Sequence, residues 1–292
     1  MTGSVALVTG SSSGIGRQIA EALARQGHAV YATMRGVDGK NRAVADELRA
    51  LAAEEGLSLH PVELDVTDQA SVDRAVAAVI EQAGGIDVVV HNAGMGLAGL
   101  TEASTLTQVE HLFSTNAFGL LRVNQAVLPH MRARGAGHLV YISSISGELY
   151  VPFYGLYGAS KGAFEAFAEA THYEVYSLGI DTTIMQLGGY NSNFGANLQL
   201  SDRVDTLDSY GDMGQTARTA QESASSQLSY AEAPAKAAEQ VAAVVALPAG
   251  QRPLRILTGA FTEPLQGIAE TRAERQATFF TMMNLEKMIT RG

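Results

Sequence analysis

Short β-branched runs alternate with Ala-rich amphipathic segments through most of the chain, and this alternation restricts the fold more than any other feature. Runs at 5–9, 29–34, 57–64, 86–91, 138–144, 180–187 and 253–259 read as strands. Helical patterns fill 15–26, 41–55, 69–82, 107–132, 155–178 and 231–246, and the tail ending "MMNLEKMITRG" also reads as helical. Gly27 and Gly56 end the first two helices. The "IDVVVH" run is apolar almost throughout, as a strand covered on both faces must be. Pro61 marks the third strand as an edge or irregular strand, because proline cannot donate to a central ladder. Strand and helix in strict alternation imply an α/β fold. Right-handed crossovers then make it a doubly wound parallel sheet.

The rhythm breaks between Gly188 and Tyr230, in a polar stretch rich in Ser, Gln and Asp. A connection of that length in a compact domain implies a substrate loop or lid, or else a poorly ordered surface loop. Neither a repeat nor a linker interrupts the chain, so residues 1–292 read as one domain with 188–230 as its lid.

Composition bounds the partners. The net charge of −10 argues against nucleic acid or an anionic membrane. The absence of cysteine removes thiolate chemistry and Cys-based metal sites, and it fits a reducing, cytoplasmic setting. The apolar start is too short for a signal sequence, and no run reaches the length of a membrane span. A soluble cytoplasmic protein without a metal is the expectation.

The stretch "TGSSSGIG" lies between the first strand and the first helix. Glycines at 10, 14 and 16 suit a tight turn and the close approach of a pyrophosphate, whose charge a helix N-terminus favours. Gly10, Ser12, Ser13, Gly14, Ile15 and Gly16 are therefore candidate dinucleotide contacts. After the second strand the chain reads "YATMRG", with Arg35 where an acidic residue would grip an NAD ribose. A guanidinium there, with Ser13 nearby, suits a 2′-phosphate, which favours NADP(H) over NAD(H). Asp65 and Val66 close the third strand. Asp65 could accept from an adenine amino group or cap the next helix with Asp68. In "HNAG", Asn92, Ala93 and Gly94 are small enough for backbone to lie against a cofactor; Asn92 braces neighbouring backbone, and His91 reads as packed rather than chemical.

The "YGASK" stretch places Tyr157 and Lys161 on one helix face, either as a catalytic pair or as a packed Tyr beside a solvated Lys. Taken with "TGSSSGIG", Asp65, "NAG", Asn116 and the "ISS" ending at Ser144, the chain over 4–192 resembles the short-chain dehydrogenase/reductase family. The stretches "VYATMR", "NAGMGLAG" and "RPLRILTG" resemble its hydroxysteroid and retinol dehydrogenase branch. The resemblance implies a Rossmann fold, with Tyr157 as general acid/base and Lys161 as electrostatic partner and ribose anchor. It makes Ser144 the donor to the substrate oxygen and Asn116 the organiser of a water relay. A free phenol titrates near ~10, and a lysine and a cationic nicotinamide would favour its phenolate. Ser143 should face away from Ser144 across the strand, and Ser146 is the weaker stand-in. The family often carries Pro-Gly and then Thr after the sixth strand. Here Leu187 stands for the proline and Ser192 for the carboxamide-binding Thr, and two glycines without proline should loosen the backbone.

The expected reaction is hydride transfer between NADP(H) and a small hydrophobic ketone or secondary alcohol. Met95, Leu97, Leu149, Val151, Phe153, Tyr154, Tyr190 and Phe194 are the candidate substrate wall. The alternatives are an NADP(H)-binding regulator without turnover and an epimerase or dehydratase on the same fold. From the family, a homodimer or homotetramer through the long helices near Thr107 and Gly155 is expected.

Overall fold

In a computed structural model the structure describes residues 3–192, 194–195, 197–219 and 232–290. The first unit is β1 (Val5–Val8), α1 (Gly14–Arg25) and β2 (Ala29–Met34). It is followed by α2 (Arg42–Glu55), β3 (Leu59–Glu63), α3 (Gln69–Ala83) and β4 (Val88–His91). The second half carries β5 (Leu97–Ala98), α4 (Leu106–Asn116), α5 (Phe118–Arg134), β6 (Gly137–Ser144), α6 (Gly155–Val175) and β7 (Ile180–Leu187). Then come β8 (Gln199–Leu200), α7 (Val204–Ser209), α8 (Asp212–Arg218), α9 (Pro234–Ala246), β9 (Arg255–Thr258) and α10 (Ile268–Met282).

Seven strands form one parallel sheet in the order β3-β2-β1-β4-β6-β7-β9. The order reverses at β1, so loops leaving β1 and β4 splay apart at their carboxyl ends and open a crevice. Both faces of the sheet are buried, and the pleat sorts the strand residues between two cores. Ala6, Val8, Val88 and Val90 face α1 and α9 with Ile19, Leu23, Val241 and Val245. Leu7, Val89, Leu139 and Tyr141 face the other way, onto Val72, Val76, Val123 and Phe164 of α3, α5 and α6. Such two-sided burial explains the nearly continuous apolar strands. β3 lies at the sheet edge, where Pro61 is tolerated.

The expected helix over 107–132 is two helices that break at Ala117 (φ −102°, ψ −52°). Asn116, the last residue of α4, turns its amide onto the loop after β4 instead of leaving the helix to run straight through. The stretch from Gly188 is also more ordered than a loop. β8 pairs in parallel with β5, and α7 and α8 follow it. Residues 193, 196 and 220–230 of that stretch lie outside the described residues. Among the described residues no helix is long and apolar enough to cross a membrane.

Gly188 and Gly189 are clamped, not loose. A Cβ on Gly188 would lie 1.8 Å from the Ala260 carbonyl oxygen, and one on Gly189 would lie 2.9 Å from the Phe261 ring. Gly188 N–H donates to Thr258 and Gly189 N–H to Ala260, both at 2.8 Å. The glycines let the 259–262 segment lie directly on the chain leaving β7.

Candidate active site

The crevice at the sheet's carboxyl edge is a cleft of about 960 Å³. Its floor at one end is the turn between β1 and α1. Gly10 (φ +71°) and Gly14 (φ +57°) adopt backbone that side chains disfavour. A Cβ on Gly10 would meet Ala93 Cα at 2.8 Å, and one on Gly16 would meet Asn92 Nδ2 at 2.2 Å. Asn92 Nδ2 donates to the carbonyls of Thr9 and Gly10 at 3.0 and 3.1 Å, the bracing expected of it. The N-cap, Ser13, makes no side-chain cap, and the first turn of α1 carries no acidic residue. Unpaired N–H groups with no competing carboxylate suit a pyrophosphate, so this end fits a dinucleotide. Ser12, Ser13, Ile15, Ala93 and Gly94 line the same cleft.

At the adenosine end, Arg35, Asp65 and Val66 line the cleft. Asp65 accepts from the N–H and hydroxyl of Thr67, at 2.9 and 2.7 Å, while Asp68 caps α3 by accepting from Ala70 N–H. Asp65 is thus a turn residue, not a helix cap. Burial raises its carboxyl, but the Thr67 hydrogen bonds together with Arg35 and Lys40 hold it below its ordinary value. A residue that sequence reasoning missed is Glu63. Its carboxylate accepts from the N–H groups of Gly36 and Val37 at 2.9 and 2.7 Å, which pins the loop carrying Arg35. Nothing in the pattern of an edge strand marks its last residue for that task.

At the other end, α6 presents Tyr157 and Lys161, and β6 ends in Ser144. Ser144 lines the cleft with Tyr157 and accepts from Ser146 N–H at 3.1 Å. Burial pushes the Tyr157 phenol up to about 12, with Ser144 opposing the shift. Among the protein groups alone, loss of solvent outweighs the opposing effect of Ser144. Lys161 donates to the Ile142 carbonyl at 2.9 Å and sits 4.8 Å above the Phe164 ring. Burial brings its ammonium down to about 8, while the Glu165 charge opposes the shift. Asn116 Oδ1 accepts from Met95 N–H at 2.8 Å, and its Nδ2 donates to the Met95 carbonyl and to Ser160 Oγ at 2.9 and 3.0 Å. It joins the loop after β4 to α6 one residue before Lys161. A Cβ placed on Gly94 would lie 3.4 Å from Asn116 Oδ1 and 3.8 Å from Lys161 Nζ, so all three share one corner.

Met95, Val151, Phe153, Tyr154, Tyr190 and Phe194 line the cleft, and Phe194 lies 5.2 Å from the Tyr157 ring. Leu97 and Leu149 do not line it. Leu97 is buried in β5, whose partner is β8, and Leu149 belongs to the turn that closes on Ile145. Alternation along so short a strand and the turn direction were not legible from spacing. Tyr190 reaches the cleft but is mostly buried, its hydroxyl 2.8 Å from Thr258 Oγ1. Ser192 lines the cleft and accepts from Phe194 N–H at 3.3 Å. His91 stacks on Tyr141 at 4.7 Å and burial lowers it to about 3, so it is packed as expected. Ser143 also borders the cleft, but its hydroxyl is turned to Glu165, donating to Oε1 at 2.6 Å.

The model of the short chain dehydrogenases matches residues 4–202. A 3-ketodihydrosphingosine reductase from Bacteroides thetaiotaomicron is 36% identical over 208 residues, covering 71% of this chain and 72% of that protein. The human 17-beta-hydroxysteroid dehydrogenase type 1 is 37% identical over 213 residues, covering 70% of this chain but only 64% of the human protein. Among solved structures, a short-chain dehydrogenase from Streptomyces avermitilis superposes with a TM-score of 0.78 at 30% identity, covering 97% of this chain and 98% of that one.

Proposed function

The chain belongs to the short-chain dehydrogenase family, oxidoreductases of CH–OH and carbonyl groups, and on that premise we propose that it is an NADP(H)-dependent reductase of hydrophobic ketones, or the reverse alcohol dehydrogenase. The observation that carries the reading is that Ser144, Tyr157 and a buried Lys161 converge on the same cleft as the Gly10–Gly16 turn. A bound nicotinamide would supply or take the hydride. Tyr157 and Ser144 would both donate to the substrate oxygen, where negative charge develops. A phenol held protonated at neutral pH suits the proton donor of carbonyl reduction. Lys161, mostly charged near pH 7, offsets the negative charge that Tyr157 acquires as its proton leaves. Asn116 holds the loop after β4 against α6 and so sets the spacing between cofactor end and Tyr157.

Met95, Val151, Phe153, Tyr154 and Phe194 give the substrate an apolar wall, which favours a hydrophobic carbonyl over a phosphorylated one. The stretch 188–230 serves as the substrate lid of a single domain. Arg35 binds the 2′-phosphate, on a loop fixed by Glu63. The protein is a homo-oligomer in the cytoplasm, with α4, α5 and α6 at the contact; Phe118, 44% exposed at the start of α5, is available for it.

The test is NADPH and NADH oxidation followed at 340 nm with a panel of aryl, bicyclic and long-chain ketones, including 2-tetralone. NADPH should be preferred, and Arg35→Ala should remove the preference without harming NADH turnover. Tyr157→Phe should lose at least ~10³-fold in turnover while still binding NADPH, read from the nucleotide's own fluorescence. A Tyr157→Phe protein that retains activity would refute the mechanism.

A further inference from the structure

Beneath the candidate site lies a buried polar cluster that the proposed chemistry does not use. Its centre is Glu165, 4% exposed, one helical turn after Lys161 on α6. Ser143 Oγ donates to Glu165 Oε1 at 2.6 Å from β6. Gln186 Nε2, on β7, donates to both carboxylate oxygens, at 3.2 and 2.9 Å. Arg255, on β9, has its guanidinium 4.0 Å from Glu165 Oε2 and paired with Glu169. Gln186 also reaches Glu148 at 3.1 Å, and Glu148 pairs with Arg272 of α10 at 2.5 Å. The turn after Ser144 lies on the same carboxylate: a Cβ on Gly147 would be 2.8 Å from Glu165 Oε1.

Ser144 sits between Ser143 and Gly147, and both of these rest on Glu165, so the carboxylate fixes the strand end on either side of the Ser144 hydroxyl. The cluster with Lys161 also holds three carboxylates (Glu148, Glu165 and Glu169) and three cations (Lys161, Arg255 and Arg272), so an ionised Glu165 is matched in charge by a protonated Lys161. Burial, and to a lesser degree the Glu148 charge, hold the Glu165 carboxyl above its ordinary value, opposed first by Ser143 and then by Arg255 and Gln186. Donors meet both of its oxygens, an arrangement that suits a carboxylate.

We propose that Glu165 is a positioning residue for hydride transfer, holding the strand end that carries Ser144 and supplying the negative charge that keeps the buried Lys161 an ammonium. This rests on the reductase reading for its kinetic arm, but not for its titration arm. Arg255 and Arg272 stand behind Glu165 and Glu148, so the support reaches β9 and α10, beyond the residues 4–202 that the family model matches.

Lys161 titration can be followed without cofactor or substrate. In protein labelled with [ε-¹³C]lysine, the lysines are Lys40, Lys161, Lys236 and Lys287, and Lys161 is assigned by its loss in Lys161→Met. Its midpoint near 8 should fall by about one pH unit in Glu165→Gln, because a raising charge is removed, and should stay put in Ser143→Ala, which keeps the charge. In NADPH-dependent 2-tetralone reduction, or that of the fastest ketone of the panel, activity is lost as pH rises through the Lys161 midpoint. Glu165→Gln should move this alkaline limb to lower pH by the same amount and lower kcat about ten-fold, with little change in KM for NADPH. Ser143→Ala should lower kcat with the limb unmoved, and Glu165→Asp should restore the limb. An unchanged Lys161 midpoint in folded Glu165→Gln overturns the charge role. Unchanged kcat in Ser143→Ala overturns the strand role. If Glu165→Gln does not fold, the Lys161 midpoint in Glu165→Asp decides: it must stay near 8, and a fall of a unit refutes the proposal. Failure of every ketone sinks the reductase reading, while the Lys161 midpoints still support or overturn the charge role by themselves.

Discussion

Replacing Gly188 with alanine isolates the clamp between the end of β7 and the 259–262 segment. Its backbone is not left-handed, so alanine meets no conformational penalty there, and the cost is steric. The new Cβ would start 1.8 Å from the Ala260 oxygen and 2.9 Å from its carbon. Restoring ordinary contact separates the two segments by about 1.6 Å, well beyond what a close-packed interior absorbs freely. That displacement stretches the 2.8 Å bonds from Gly188 to Thr258 and from Gly189 to Ala260, at ~1 kcal/mol each. Overpacking adds ~2 kcal/mol, for a total of about 4 kcal/mol. On a chain of this size that lowers Tm by roughly 6–7 °C. Gly84 supplies the comparison. It has φ +79° and nothing within 4 Å of a Cβ, so Gly84→Ala carries only the left-handed penalty of ~1 kcal/mol, roughly 2 °C. Thermal melts of the two variants in one buffer test the difference. Equal losses would refute the clamp and return the glycines to a loosening role. Because Gly188, Gly189, Tyr190 and Phe261 line the cleft, Gly188→Ala should also raise KM for the ketone.

Acid should unfold the protein through its buried histidines. Burial lowers His91 to about 3 and takes His138 well below its ordinary value, while unfolded histidine titrates near ~6.5. The unfolded chain therefore binds more protons below that pH, and stability falls as pH falls, by up to ~1.4 kcal/mol per unit for each histidine. His91→Phe keeps an aromatic ring against Tyr141 and should flatten Tm against pH by one proton's worth between pH 6 and 4; an unaltered slope rejects it. Glu63→Ala frees two backbone N–H groups of the Arg35 loop and should raise Kd for NADPH several-fold while leaving NADH binding nearly unchanged. Equal loss for both nucleotides in a fluorescence titration would mean that Glu63 supports the sheet edge and not the 2′-phosphate loop.

Most of the sheet and the cofactor turn could be read from local chemistry. Strand and helix periodicity report burial directly, and a glycine turn between β1 and α1 is chemistry contained in eight adjacent residues. The same holds for Tyr157 and Lys161, whose shared face follows from four-residue spacing. Less legible were features made by residues far apart. Asn116 breaks its helix because Met95 and Ser160 bond its amide. Leu97 leaves the substrate wall because β8, about a hundred residues on, covers it. Gly188 and Gly189 are tight because the return from β9 lies on them.

Alone, then, the sequence determined the alternating parallel architecture, the dinucleotide turn and the residues of the candidate chemistry, because each is set by periodicity or by neighbours within a turn of helix. Only the tertiary structure decided the electrostatic state of that chemistry. Tyr157 is held protonated and Lys161 lowered by burial, and Glu165 meets Ser143, Gln186 and Arg255 from three different strands. Desolvation and charge pairing depend on what packs around a group in space, and that packing joins segments too far apart in the chain for spacing to reveal.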